Sequence, residues 1–333
     1  MDSTTANNSS DKSSVPTPHN TSVLSDAALR FQSASRSAST QRAYRSDWND
    51  FLEWCVHNEE TSLPASGVAV ANYLAHMAEG DGAKKSTVAR RVAAINYQHE
   101  IAGHARPGKT VDVAQVLSGV RRVLSSELDR ASPFTRELLL KAFSGFDERV
   151  LRDVRDKALL CIGFAAALRR SEIVSVQVAD IKFKDAEGLM LRIPVSKTDQ
   201  ERAGQFVAVP YAARREFCPV VAVEHWLDMS GVTSGALFRG VRKNGVIRGT
   251  ALNAGSVNEI VKRSATRAGV RAIDAQGFSG HSLRAGFVTT AREAGVPDHL
   301  IMMTTRHRDP RSLNGYDRPE NLLENTAWGW AGW

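Results

Sequence analysis

Apolar residues recur at helical spacing along the first third of the chain. Starting at Ser39, Tyr44, Trp48, Phe51, Leu52 and Cys55 share one helix face, with Thr40 positioned to cap the start. Leu63-Pro64 breaks the pattern. Val68 to Met77 predicts a second helix, carrying Val68, Val70, Tyr73, Leu74 and Met77 and ended by Gly80 and Gly82. A third opens at Ser86, with Val88, Val92 and Ile95 inward and Arg90 and Arg91 on other faces. A fourth spans about Val111 to Leu124, after the Arg106-Pro107-Gly108 turn. The pattern predicts a compact all-helical unit.

Beyond a polar stretch from Ser125, Pro133 suits the first position of a further helix. Helical patterns dominate from there, including a strongly apolar helix over Leu159 to Ala167. Two runs differ: Leu189 to Ile193 and Gln205 to Val209 read as short strands. The polar segment between them, with Ser196, Lys197, Thr198 and Gly204, reads as a hairpin loop. The fold class is mainly α, in two domains, the second mixed and carrying a small antiparallel sheet.

A length of 333 residues suits two domains, and 42% hydrophobic with 24% charged residues is ordinary globular composition. Residues 1–21 are rich in Ser, Thr, Asn and Pro; too little apolar surface is present to offset ordering entropy, so a disordered tail is expected. The polar start is unlike a secretory signal, and no run approaches the roughly 20 apolar residues of a membrane span. A cytoplasmic protein without a membrane partner is expected. Cys55, Cys161 and Cys218 are far apart and in apolar surroundings, which fits reduced core residues rather than a metal site. The net charge of +7 makes nucleic acid the first candidate among polyanions.

Four features carry candidate chemistry: Arg169 with Glu172; Lys197 in the loop; His281 with Arg284 at a helix start; and His307 followed nine positions later by Tyr316. Each alone has a plain structural use. Arg169 can offset a helix dipole, Lys197 can be merely solvated, His281 can cap a helix, and Tyr316 can pack. Their order and spacing together resemble the tyrosine recombinase, or lambda integrase, family, and its Cre branch in particular. That family's signature runs Arg, Lys, His-x-x-Arg, His or Trp, Tyr, matched here by Arg169, Lys197, His281, Arg284, His307 and Tyr316 over a resemblance spanning about residues 25–330. Two positions depart from it: Thr305-Arg306 stands where the family commonly has a glycine, and Gly315 directly precedes Tyr316.

The resemblance implies a site-specific enzyme that integrates or recombines DNA through a 3′-phosphotyrosine intermediate, with no cofactor, metal or ATP. Residues 22–126 would form the helical core-binding domain, 127–133 a linker, 134–318 the catalytic domain, and 319–333 a tail either exchanged between protomers or packed on its own domain. Arg169 and Arg284 would fork onto the phosphate, with His281 and His307 beside it, Glu172 behind them, Lys197 as general acid and Tyr316 as nucleophile. The implied partners are double-stranded DNA with inverted-repeat sites, a homodimer on one site and a homotetramer in the synaptic complex. Candidate DNA contacts are Lys84, Lys85, Ser86, Thr87, Arg90 and Arg91 on the third helix, Arg42 and Arg45 on the first, and Arg239, Arg242, Lys243 and Arg248 in the second domain. Two alternatives stay open: a DNA-binding regulator without catalysis, and a topoisomerase or telomere resolvase using the same chemistry.

Overall fold

A computed structural model describes residues 25–27, 30, 31, 35–80, 83–124, 131–193, 204–307, 309–314 and 316. The 1–21 tail, Lys197 with most of its loop, most of the linker, Gly315 and the 319–333 tail lie outside the described residues. The chain divides into two units, Met1–Leu128 and Asp129–Trp333.

Among the described residues of the first unit, the main helices are α1 (Ala38–His57), α2 (Gly67–Gly80), α3 (Lys85–Ile101) and α4 (Val111–Val123). Helix α1 packs on α3, and α2 on α4. Their apolar faces bury Phe51, Cys55, Tyr73, Leu74, Val88, Val92 and Ile95. The true cap of α1 is Ser37, whose Oγ accepts from the Thr40 N–H at 3.2 Å, so Thr40 lies inside the helix. Likewise α3 begins at Lys85, one residue before Ser86. Val68 faces solvent, and Ala69 takes its place against the core. His99 ties the connection before α2 to α3: its Nε2 accepts from the Ala65 N–H at 2.8 Å, and its Nδ1 sits 2.8 Å from the Ile95 carbonyl.

The second unit is built around α6 (Leu151–Ala165), preceded by α5 (Arg136–Phe143) and followed by α7 (Arg170–Ser175). Helix α6 is buried on nearly every side and packs on α8 (Pro219–Ser230). It starts eight residues before the sequence expectation. Asp153, Arg155 and Asp156 of this helix are buried in ion pairs: Asp156 with Arg155 and Arg263, each at 2.5 Å, and Asp153 with Arg267 at 3.0 Å. Pro133 does not open α5. The Phe134 N–H is spent on the Ser282 carbonyl at 2.9 Å, and the helix is capped by Thr135.

The two expected strands are β2 (Gly188–Ile193) and β3 (Gln205–Pro210), antiparallel, with Leu191 opposite Val207 and Ile193 opposite Gln205. Leu189, Leu191, Ile193, Val207 and Val209 point into the core at the period-two spacing of a half-buried sheet. A third strand, β1 (Ile181–Lys184), completes the sheet in the order β1-β2-β3. A separate hairpin joins β4 (Arg239–Val241) to β5 (Ile247–Ala251). Helices α9 (Ala254–Arg267), α10 (Ser282–Glu293), α11 (Asp298–Thr305) and the short α12 (Arg311–Asn314) finish the unit. Gly286 lets α10 press onto the entering chain; a Cβ there would lie 2.0 Å from the Phe134 carbonyl oxygen.

Candidate active site

Three chain reversals of the second unit converge on one cluster. In the first, α6 ends and the backbone turns through Ala167, held at φ 47°, before α7 starts. Arg169 occupies the cap position of α7 and Glu172 its third residue. The Glu172 carboxylate accepts from the Arg169 backbone N–H at 2.8 Å through Oε2 and from Arg169 Nη1 at 2.7 Å through Oε1. This is half of a capping box, the acidic residue reaching back to the helix start.

The second reversal is the start of α10. His281 caps it at the exposed rim of the cluster, and Arg284 lies one turn in, fully buried. Arg284 Nη1 donates to the Ala167 carbonyl at 2.8 Å, while its Nη2 is buried without a hydrogen-bond partner. Such an orphaned donor is costly unless something is to be bound there.

The third reversal follows α11. Arg306 ends that helix at φ 59° and is buried, donating to Glu172 Oε2 at 2.7 Å and to the Ala166 carbonyl at 3.0 Å. The Thr305 hydroxyl donates to the Ile301 carbonyl at 2.8 Å, which leaves its oxygen to accept from His307 Nδ1 at 3.0 Å. Tyr316 follows α12 with its N–H on the Leu313 carbonyl at 2.9 Å. Its ring packs on the small cluster of Val288, Ala291, Ile301 and Leu313. The hydroxyl lies 3.3 Å from His281 Nε2, and the ring centroid is 5.9 Å from that of His307.

Thus Arg169, Glu172, His281, Arg284, His307 and Tyr316 are brought together from three separate stretches of chain. Lys197, outside the described residues, belongs to the segment joining the paired ends of β2 and β3. Arg306 joins the cluster although sequence reasoning did not assign it a role; its only sequence signal is its place directly before His307. Among the described residues, no group of His, Cys, Asp and Glu has the arrangement of a metal site.

Arg169 and Arg306 share the Glu172 carboxylate while Arg284 has no carboxylate partner among the described residues, and the imbalance shapes the titrations. Burial, then the field of Arg169, pulls Arg284 down to about 10, which leaves it charged at neutral pH. Burial, reinforced by Arg284, Arg169, His281 and Arg306, pushes His307 down to about 4. His281 is lowered by the protein around it and then by Arg284 and Arg169. Both imidazoles are therefore neutral at pH 7, inside a cationic setting that suits an anion.

The expected DNA contacts differ in surroundings. Arg42 and Arg45 are exposed on α1; Lys84 and Ser86 are exposed and Lys85 and Thr87 half-buried at the start of α3. Arg90 instead forks onto the buried Asp47 at 2.7 and 2.9 Å, and Arg91 binds Asp50 at 2.5 Å and the Tyr73 hydroxyl. Arg239 donates to the Ala236 and Ser234 carbonyls, whereas Arg242, Lys243 and Arg248 are exposed on the β4–β5 hairpin.

A model of the phage integrase family matches residues 135–321, and one of the phage integrase N-terminal SAM-like domain matches residues 31–105. An integrase/recombinase xerD homolog of Selenomonas ruminantium is 37% identical over 311 residues, 92% of this chain and 89% of the relative. The tyrosine recombinase XerD of Yersinia pestis is 26% identical over 275 residues, 81% of this chain and 83% of the relative. Among solved structures, the XerH site-specific recombinase in its post-cleavage complex aligns with a TM-score of 0.56 at 17% identity, covering 79% of this chain and 72% of that one. The chain belongs to the phage integrase family and is a tyrosine site-specific recombinase.

Proposed function

We propose that the protein cuts and rejoins duplex DNA through Tyr316, the supporting observation being its hydroxyl 3.3 Å from His281 Nε2 beside the buried Arg284. The Tyr316 oxygen attacks the scissile phosphorus in line. The bond to the 5′ oxygen breaks, and a 3′-phosphotyrosine forms. Lys197 delivers the proton that the departing 5′-hydroxyl needs. The phosphotyrosyl ester keeps the energy of the broken linkage, so a 5′-hydroxyl from a second duplex reverses the step without ATP.

His281 Nε2, neutral at pH 7, accepts the phenol proton. Full transfer from an ordinary phenol to an ordinary imidazole is uphill by about 5 kcal/mol, and the lowered His281 adds to this. Proton transfer therefore accompanies formation of the phosphorus–oxygen bond rather than preceding it. Arg169 and Arg284 donate to the non-bridging oxygens as charge builds on them, the kind of interaction that dominates acceleration of such reactions. The phosphate also opposes the cationic field and favours the His307 imidazolium, in which Nε2 becomes a donor.

Lys84, Lys85, Ser86 and Thr87 of the first unit, with Arg42 and Arg45, and Arg242, Lys243 and Arg248 of the second, contact the duplex. Arg90, Arg91 and Arg239 are already engaged within the protein and take a lesser part. The target is a pair of inverted repeats, because a two-fold protein dimer mirrors a two-fold site. Two such dimers form the synaptic tetramer. The test uses a duplex selected from a random-sequence library by the Tyr316→Phe protein, then nicked near the cleavage position so that product is trapped. Wild type becomes covalently linked to this DNA and Tyr316→Phe does not; a linked Tyr316→Phe product removes the assigned nucleophile.

A further inference from the structure

Arg306 is an unusual residue for its place. It is a non-glycine residue in the left-handed region, with a side chain 4% exposed and a buried Nε that has no partner. A residue held against both costs is held by what its head touches. Its Nη1 is fixed by the Ala166 and Thr304 carbonyls at 3.0 and 2.8 Å, and its Nη2 reaches Glu172 Oε2 at 2.7 Å.

The two oxygens of Glu172 are consequently occupied from different sides. Oε2 takes the Arg169 backbone N–H and Arg306, and Oε1 takes Arg169 Nη1. Arg169 is thus bound to the carboxylate by one side-chain nitrogen, although arginine and a carboxylate ordinarily favour a two-pronged fork. We propose that Arg306 is a positioning residue: by holding Glu172 Oε2 it keeps Arg169 from closing that fork and leaves the rest of the Arg169 guanidinium for the scissile phosphate. It also offsets, from the buried side, a carboxylate that would otherwise repel the phosphate. This proposal rests on the cleavage reaction proposed above.

Glycine at this position relieves the backbone while deleting the contact, so a merely structural role and a positioning role respond in opposite directions. The experiment compares wild type with Arg306→Gly on two nicked duplexes of the selected sequence, one with an ordinary scissile phosphodiester and one with a methylphosphonate there. The methylphosphonate carries no charge and needs less cationic help. Strand breakage of the phosphodiester is expected to slow at least 10-fold in Arg306→Gly, and the ratio of methylphosphonate to phosphodiester rates to rise at least 10-fold. The ratio does not depend on how much of the variant is folded, because both substrates meet the same folded fraction. An unchanged ratio overturns the positioning role while leaving the cleavage reaction standing. Absence of a covalent product with wild type overturns the cleavage reaction and this inference with it.

Discussion

Both units set arginines against a buried carboxylate, Asp47 in the first and Glu172 in the second, yet the two clusters differ in stoichiometry. In the first unit, Arg90 and Arg91 meet Asp47 and Asp50 one for one, and the Tyr73 hydroxyl takes a further N–H. In the second, Arg169 and Arg306 share Glu172, and Arg284 beside them has no carboxylate partner among the described residues and keeps an unsatisfied buried nitrogen. The first arrangement is matched in charge and joins helices, although Arg91 Nε is also buried without a hydrogen-bond partner. The second has donors left over and makes both of its histidines reluctant to protonate. Unmatched positive charge, rather than arginine as such, distinguishes a site for an anion from a strut.

The largest expected effect breaks the comparison from the side of the site. Arg284→Ala should slow covalent trapping of DNA by a factor of about 100–1,000, in line with loss of one preorganised oxyanion donor. A variant within threefold of wild type in single-turnover cleavage would put Arg284 among the struts. The counterpart is Asp47→Ala, which strips the charge-matched cluster of its buried carboxylate. Stability should fall by about 1–3 kcal/mol in urea unfolding, because Arg90 and Arg91 lose a partner, while cleavage of pre-bound DNA stays unchanged. A cleavage defect larger than the folding defect would give Asp47 a share in the chemistry.

The smallest effect concerns acid. His307 is held at about 4 in the native protein and takes a proton near 6.5 when unfolded. The unfolded chain therefore binds more protons between those values, and native stability is lost as pH falls through that window. Allowing for partial exposure of the ring, about 1–2 kcal/mol should go by pH 4. His307→Gln should flatten that part of the stability–pH curve; an unaltered slope would place the acid sensitivity elsewhere, His281 and His99 being the other imidazoles lowered by their surroundings.

Helices α1 to α4 were readable because their inward positions are apolar at regular spacing, and β2 and β3 because alternation marks a half-buried strand. The elements that escaped are short and polar: β1 exposes Lys182 and Lys184, and β5 exposes Arg248. The six described residues that meet in the cluster were singled out through order and spacing, but their electrostatic partners were not. Helical spacing puts Arg90 on a face and says nothing of Asp47 on another helix. Arg306 meets a carboxylate 134 positions away, a distance no local pattern spans. Its neighbour in sequence, His307, drew attention only through Tyr316.

The carbonyls of Ala166 and Ala167 are gripped by Arg306 and Arg284, from 140 and 117 positions further along. Contacts of that span need a long loop closed between their partners. A nascent or truncated polypeptide ending before α11 thus has no assembled phosphate cradle, whatever DNA it touches. The capacity to break a DNA strand arrives only with the finished domain.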